Sequence, residues 1–122
     1  MGDKMKVINY HEIPLESVEI EEAKDVKIRW LISKKDQAEN FAMRLFEVAP
    51  EGNTPYHTHN SEHEVFVLQG SGEAKIDGKN YPIKKDTVVF IQANQKHWFK
   101  NTGKDLMKFI CIIPYHLSIN IE

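Results

Sequence analysis

Residues 57–64 read HTHNSEHE and bring His57, His59 and His63 into one short stretch. Imidazole is the side chain best suited to ligate a metal or to exchange a proton near neutrality. Histidines one residue apart, such as His57 and His59, leave the same face of a strand about 7 Å from each other, close enough to share an ion. His63 follows the polar run Asn60-Ser61-Glu62, which can turn, so a hairpin would return it beside the first pair. His97 stands well downstream, directly before Trp98-Phe99, and only a closed sheet would carry it to the same place. Any one of these could be a hydrogen-bonded core or surface histidine, and a bare His-x-His is a weak pattern. His11 and His116 stand apart and read as ordinary surface or packing residues.

Positioning such a set calls for strands, and the chain is rich in them. KIRWLIS, FAMRLFEV, EVFVLQG, EAKID, YPI, TVVFIQ and LMKFICIIP are short runs of Val, Ile, Phe and Thr separated by Gly, Pro, Asn or Asp. In EAKIDGKNYPI, Asp77-Gly78 supplies the two positive-φ positions of a type I′ turn, so the flanking strands should pair antiparallel. Only Glu16 to Lys24 could carry a turn or two of helix, and its Val18-Glu19-Ile20 alternation fits a strand equally well. The expectation is an all-β sandwich or barrel.

The stretches GNTPYHTHNSEHEVFVLQG and DTVVFIQANQKHWFKN resemble the two sequence motifs of the cupins, and the likeness extends over residues 41–114. In the first motif His57-x-His59 is followed by three residues, His63, six residues and Gly70. His63 thus stands where the family usually has Glu. Glu64 fits a four-residue variant but lies only five residues before Gly70, so the count favours His63 and leaves Glu64 as the alternate ligand. The second motif supplies His97-x3-Asn101, while Lys85-Asp86 replaces Gly-Asp, and Ala93 and Asn94 replace Pro and Gly. Asn94 can still take the left-handed conformation of a tight turn. Gly52 precedes His57 by four residues instead of five, which implies a slightly altered loop. The resemblance implies a double-stranded β-helix, the jelly-roll cupin barrel. Within the cupins it is to a small single-domain subgroup that binds manganese through four histidines, whose places fall to His57, His59, His63 and His97. It also implies a homodimer.

Four neutral imidazoles cancel none of a divalent ion's charge, so an anionic oxygen is drawn to any open position. Six-coordination would leave two such positions, enough for a bidentate substrate or for a substrate beside dioxygen. Imidazole equally suits Fe, Ni, Cu and Zn, so manganese rests on the resemblance alone. Proton competition should weaken binding as pH falls through the free imidazole value of about 6.5. The reaction expected is a metal-dependent dioxygenase-type oxidation of a small organic molecule, anionic or oxygen-coordinating. The alternatives are a non-catalytic module that holds a small ligand or the metal, and a sugar isomerase or epimerase, which would need an added acid and base.

Phe66, Phe90, Trp98, Phe99 and Phe109 could line a pocket, although such residues are more often core. Phe109, Cys111 and Ile113 share a strand face, and Arg44 points either the same way or opposite, because parity alone does not identify the inner face. The pocket candidates are Arg44, Phe66, Trp98, Phe109 and Cys111. Cys111, the only cysteine, reads first as packing and second as a site for oxidation beside the metal.

At 122 residues, with 16 basic and 18 acidic side chains, the chain fits one domain, residues 1–122, and has no basic excess for nucleic acid or an anionic bilayer. No stretch has the apolar length of a membrane span or a signal peptide, so the cytoplasm is the expected compartment. MKVINY and VKIRWLI, in residues 1–30, are strand candidates that could extend the sheet or exchange with a partner subunit.

Overall fold

The computed structural model describes residues 5–115, so His116 lies outside the described residues. Nine strands follow one another: β1 (Glu16–Ser17), β2 (Lys24–Ile32), β3 (Phe41–Asn53), β4 (His63–Gln69), β5 (Ser71–Ile76), β6 (Lys79–Lys84), β7 (Val88–Ile91), β8 (His97–Asn101) and β9 (Met107–Pro114). The only helical elements among the described residues are two 3-10 turns, Tyr10–Glu12 and Lys34–Asp36. The chain is all-β, and its antiparallel sheet curls into the expected jelly roll.

Hydrogen-bonded neighbours run β6-β5-β8-β3-β9-β4-β7, with β2 beside β3 and β1 beside β2. The long strand β3 makes the curl. One edge pairs with β2 as far as Asn53, while the other pairs with β9 up to Val48 and, crossing over at Asn53, with Lys100 of β8. Gly52 lies in this crossing, where an added Cβ would come within 2.5 Å of the Lys24 carbonyl oxygen. A side chain there would force β2 and β3 apart, which explains why the strand passes this point at a glycine. The hairpin between β5 and β6 is the expected one: Ile76 pairs with Lys79, and Asp77 and Gly78 take φ of 49° and 86°.

The core follows the period of two. On β9, Met107, Phe109, Cys111 and Ile113 are buried and meet Ala42, Val48, Val65, Val67, Ile91 and Phe99 from the surrounding strands. Cross-strand register settles the parity of Arg44, because its direct partner on β9 is Cys111 and facing residues project to the same side. Arg44 therefore points inward.

VKIRWLI forms β2 as expected, but MKVINY does not form a strand: its residues run without regular structure into the first 3-10 turn. The end of this stretch is held by Arg29, on the outer face of β2, whose Nη1 donates to the carbonyls of Tyr10, His11 and Ile13 and fixes the 3-10 turn and the residue after it against the sheet. Residues 16–24 hold no helix either; β1 occupies two residues and a turn follows.

Candidate metal centre

Each histidine is placed by a different part of the sheet. His63 opens β4 opposite Ile91, and His97 opens β8 opposite Ile76. His57 lies outside the named strands, yet its backbone pairs with His97 through N···O contacts of 3.1 and 3.0 Å. The His59 carbonyl accepts from the Asn94 amide at 2.6 Å, and Asn94 takes φ of 73°. The asparagine that replaces glycine thus adopts the left-handed turn, and the turn fastens the loop that carries His59.

Ligand nitrogens of His59, His63 and His97 all lie within 4.8 Å of one another. Ring centroids are 5.1 Å apart for His59 and His63, 4.9 Å for His63 and His97, and 5.6 Å for His59 and His97. The Nδ1 of His97 is 2.9 Å from the Gln95 carbonyl oxygen, which can only accept, so the proton sits on Nδ1 and Nε2 keeps its lone pair for a ligand role. Burial, then the charges of the neighbouring histidine and Arg44, lower His59 to about 4. Burial, followed by Arg44 and the other histidines, lowers His63 to about 2. His97 is also lowered, first by burial, with the Gln95 carbonyl acting in the opposite sense. The rings are thus neutral at pH 7, as ligation requires, and the donor set fits a divalent cation. Proton competition at these rings sets in below the free-imidazole value that the sequence suggests.

His57 differs from the other three. Its side chain is 45% exposed, and its Nε2 lies 3.7 Å from the Glu22 carboxylate. The structure gathers three of the four expected ligands and leaves the fourth at the rim, drawn toward an acidic residue in the turn before β2.

Beside the histidines lies a cavity of about 430 Å³, walled by Trp30, Arg44, Phe46, Phe99, Phe109 and Cys111, with Glu16–Ile20 along another side. Arg44 Nη2 donates to Cys111 Sγ at 3.0 Å, and that sulfur lies 3.5 Å from His63 Nδ1. Burial raises the Cys111 thiol pKa against the opposing pull of Arg44, so the group is a protonated thiol at neutrality.

Arg44, Phe109 and Cys111 line the cavity, whereas Trp98, Phe66 and Glu64 do not. Trp98 alternates with inward His97 and Phe99 and packs against Tyr56, at 5.8 Å, on the other face of β8. Glu64 and Phe66 alternate with inward His63, Val65 and Val67, so both are exposed and Glu64 turns away from the metal centre. Phe90 is likewise exposed. Trp30 and Phe46 were not among the expected wall residues. Each sits one strand from Arg44 or on its own strand at even spacing, a signal that becomes readable once the inward face is known. Thr54 also borders the cavity, where its Oγ1 accepts from the Phe99 amide at 2.8 Å and holds the crossing strand to β8. Asn101, the last residue of the second motif, is fully buried and clamps the carbonyls of Val48 and Asp105.

The family model described as Cupin domain matches residues 44–113. The oxalate-binding protein of Thermotoga maritima is 31% identical over 93 residues, covering 73% of this chain and 75% of that protein. Polyketide synthase CurC of Streptomyces cyaneus is 32% identical over 76 residues, 62% of this chain but only 44% of CurC. Among solved structures, the polyketide cyclase RemF from Streptomyces resistomycificus superposes with a TM-score of 0.86 at 28% identity, covering 97% of this chain and 87% of RemF.

Proposed function

The chain belongs to the cupin family, and on that premise we propose that His59, His63 and His97, completed by His57, hold one divalent metal ion at which a small oxygen-donor molecule reacts. The observation that carries this reading is the meeting of three neutral imidazoles, two of them buried (His63 and His97) and His59 more open, their nitrogens within 4.8 Å, in the wall of a cavity that also has four Phe and Trp rings. Bound there, a divalent ion supplies Lewis-acid stabilisation of a carboxylate or enolate and, for manganese or iron, access to redox chemistry with oxygen. Manganese is the ion favoured by the four-histidine pattern. His97 is oriented by Gln95, His59 by the Asn94 turn, and His57 is already tied to His97 through its backbone, placed to complete the set on leaving Glu22. Phe99 and Phe109 exclude water from the inner part of the cavity.

The reaction proposed first is a dioxygenase-type oxidation of an enolizable carbonyl compound, with two copies of a single-domain chain as the assembly and the cytoplasm as the compartment. No helix among the described residues is long and apolar enough to cross a membrane. A second reading, ring closure on a similar enolizable substrate without oxygen, is favoured by the likeness to RemF over nearly the whole chain. Retention of a small anion without turnover is favoured by the oxalate-binding relative.

An oxygen electrode separates them. Protein loaded with Mn(II) or Fe(II) and offered 1,3-diketones and 2-oxo acids should consume oxygen in step with substrate, and His63→Ala should not. Substrate loss without oxygen uptake would replace oxidation with the second reading. Saturable binding without substrate loss would leave retention alone.

A further inference from the structure

Arg44 stands in the cavity wall in a state unusual for a cation. Among the described residues it makes no ion pair, and its Nε is buried with no hydrogen-bond partner. Its one hydrogen bond goes from Nη2 to the Cys111 sulfur, a weak acceptor. The guanidinium carbon lies 5.0 Å from the ring of Phe46 and 5.8 Å from that of Trp30, contacts that answer little of its charge. A sheltered charge without a counter-charge is costly unless something else supplies one.

The position tells what that something is. Arg44 faces Cys111 across the β3–β9 ladder, and the Cys111 sulfur touches His63, so a single atom separates the guanidinium from the histidine cluster. A guanidinium fork close to two aromatic rings, with N–H donors that the fold leaves unused, is suited to bidentate pairing with a planar anion. The cavity offers room for one small molecule that contacts both the arginine and the histidines.

We infer that Arg44 is the specificity-determining residue of this cavity, and that the ligand it admits is a small carboxylate, held by its carboxyl group at the guanidinium with its remaining oxygen donor toward the histidines. The inference rests on the proposed reading of the same site and names its substrate class. A purely structural Arg44, kept for stacking alone, would give the cavity no preference for a carboxylate over a neutral molecule of the same shape.

The test uses metal-free protein, where Arg44 is the only cationic side chain in the cavity wall. In a Trp98→Phe background the cavity tryptophan, Trp30, is the remaining indole and reports ligand by its emission, with calorimetry as the second readout. Malonate is titrated against malonamide, its uncharged isostere. The expected result is saturable malonate binding, weaker by at least about tenfold for malonamide and by a similar factor for malonate after Arg44→Met. Arg44→Lys, which keeps charge but not the fork, should fall between them. Equal affinity for the two probes, no malonate binding in the background protein, or undiminished binding after Arg44→Met would each overturn the inference. Should Arg44→Met not fold, the malonate–malonamide contrast and Arg44→Lys decide the matter. Mn(II) uptake by the same proteins is measured separately, so a failed metal site and a failed carboxylate site give different results.

Discussion

Two arginines on neighbouring strands of one sheet are treated in opposite ways. Arg29 projects from the outer face of β2, where its Nε lies 3.7 Å from Glu47 and its Nη1 serves the carbonyls of Tyr10, His11 and Ile13. Arg44 projects from the inner face of β3 and has a sulfur atom and two aromatic rings for company. Both are sheltered from water. The first has a carboxylate and three carbonyls as partners and works as a clamp on the N-terminal segment, although its Nε, like that of Arg44, makes no hydrogen bond; the second has neither carboxylate nor carbonyl among the described residues. The lesson is that burial of a charged group does not by itself indicate its purpose; the account of its acceptors does.

That contrast can be broken first at Arg29. Arg29→Met strands the buried Glu47 carboxylate and frees three carbonyls, and should cost about 3 kcal/mol in urea unfolding while leaving malonate affinity unchanged. Adding Glu47→Leu removes the stranded charge as well, and the double variant should regain about 2 kcal/mol of that loss. A double variant no more stable than Arg29→Met would show that the lost carbonyl contacts, not the ion pair, set the cost.

Acid sharpens the contrast from the inner face. His59 and His63 are held below the ordinary imidazole value in the folded protein, to about 4 and about 2, so below 6.5 the unfolded chain takes up protons that the fold refuses. Stability of the metal-free protein should therefore be full above pH 6.5 and fall as pH drops toward 4, continuing below that for His63. His63→Gln should flatten the fall measured as urea midpoints between pH 7 and pH 4. Arg44→Met should flatten it in part, because the guanidinium helps to lower all three rings. An outer-face variant such as Glu47→Leu should leave the slope between pH 7 and pH 5 as it was.

The smallest change is expected where the cation has only a weak sulfur acceptor to lose. Arg44→Met should alter unfolding stability by no more than about 1 kcal/mol in either direction, since stacking area is retained and an unpaired charge is removed. A loss as large as that of Arg29→Met would mean that Arg44, too, is a clamp.

Much of this was legible in the residues. The alternation of β9, the Asp77-Gly78 hairpin and the two motifs gave an all-β jelly roll, and the histidine spacing brought His59, His63 and His97 together. For Trp98 and Phe66, aromatic character is a poor sign of inwardness, and Glu64, the alternate from the four-residue variant of the first motif, falls on the outer face. Trp98, Phe66 and Glu64 sit at odd spacing from inward His97 and His63, so the same period of two that places the ligands excludes them. Arg44 was different: its face depends on register with Cys111 across a strand pair distant in sequence, and no local pattern carries that information. MKVINY has strand character, yet its end turns into a 3-10 helix at Tyr10–Glu12, a turn that a tertiary partner, Arg29, holds through the carbonyls of Tyr10, His11 and Ile13. His57 was placed with His59 by spacing, but its side chain is exposed beside Glu22, a neighbour supplied by the turn before β2.

The central claim is that the convergent imidazoles bind a cation, and titration of metal-stripped protein with Co(II), followed by the visible ligand-field bands and by calorimetry, tests it most directly. The account predicts one Co(II) per chain, displaced by Mn(II) only at large excess as the order of divalent affinities requires, with binding abolished by His63→Ala or His97→Ala and weakened less by His57→Ala. Uptake that survives His59→Ala, His63→Ala and His97→Ala together, or no uptake by the parent chain, would contradict it.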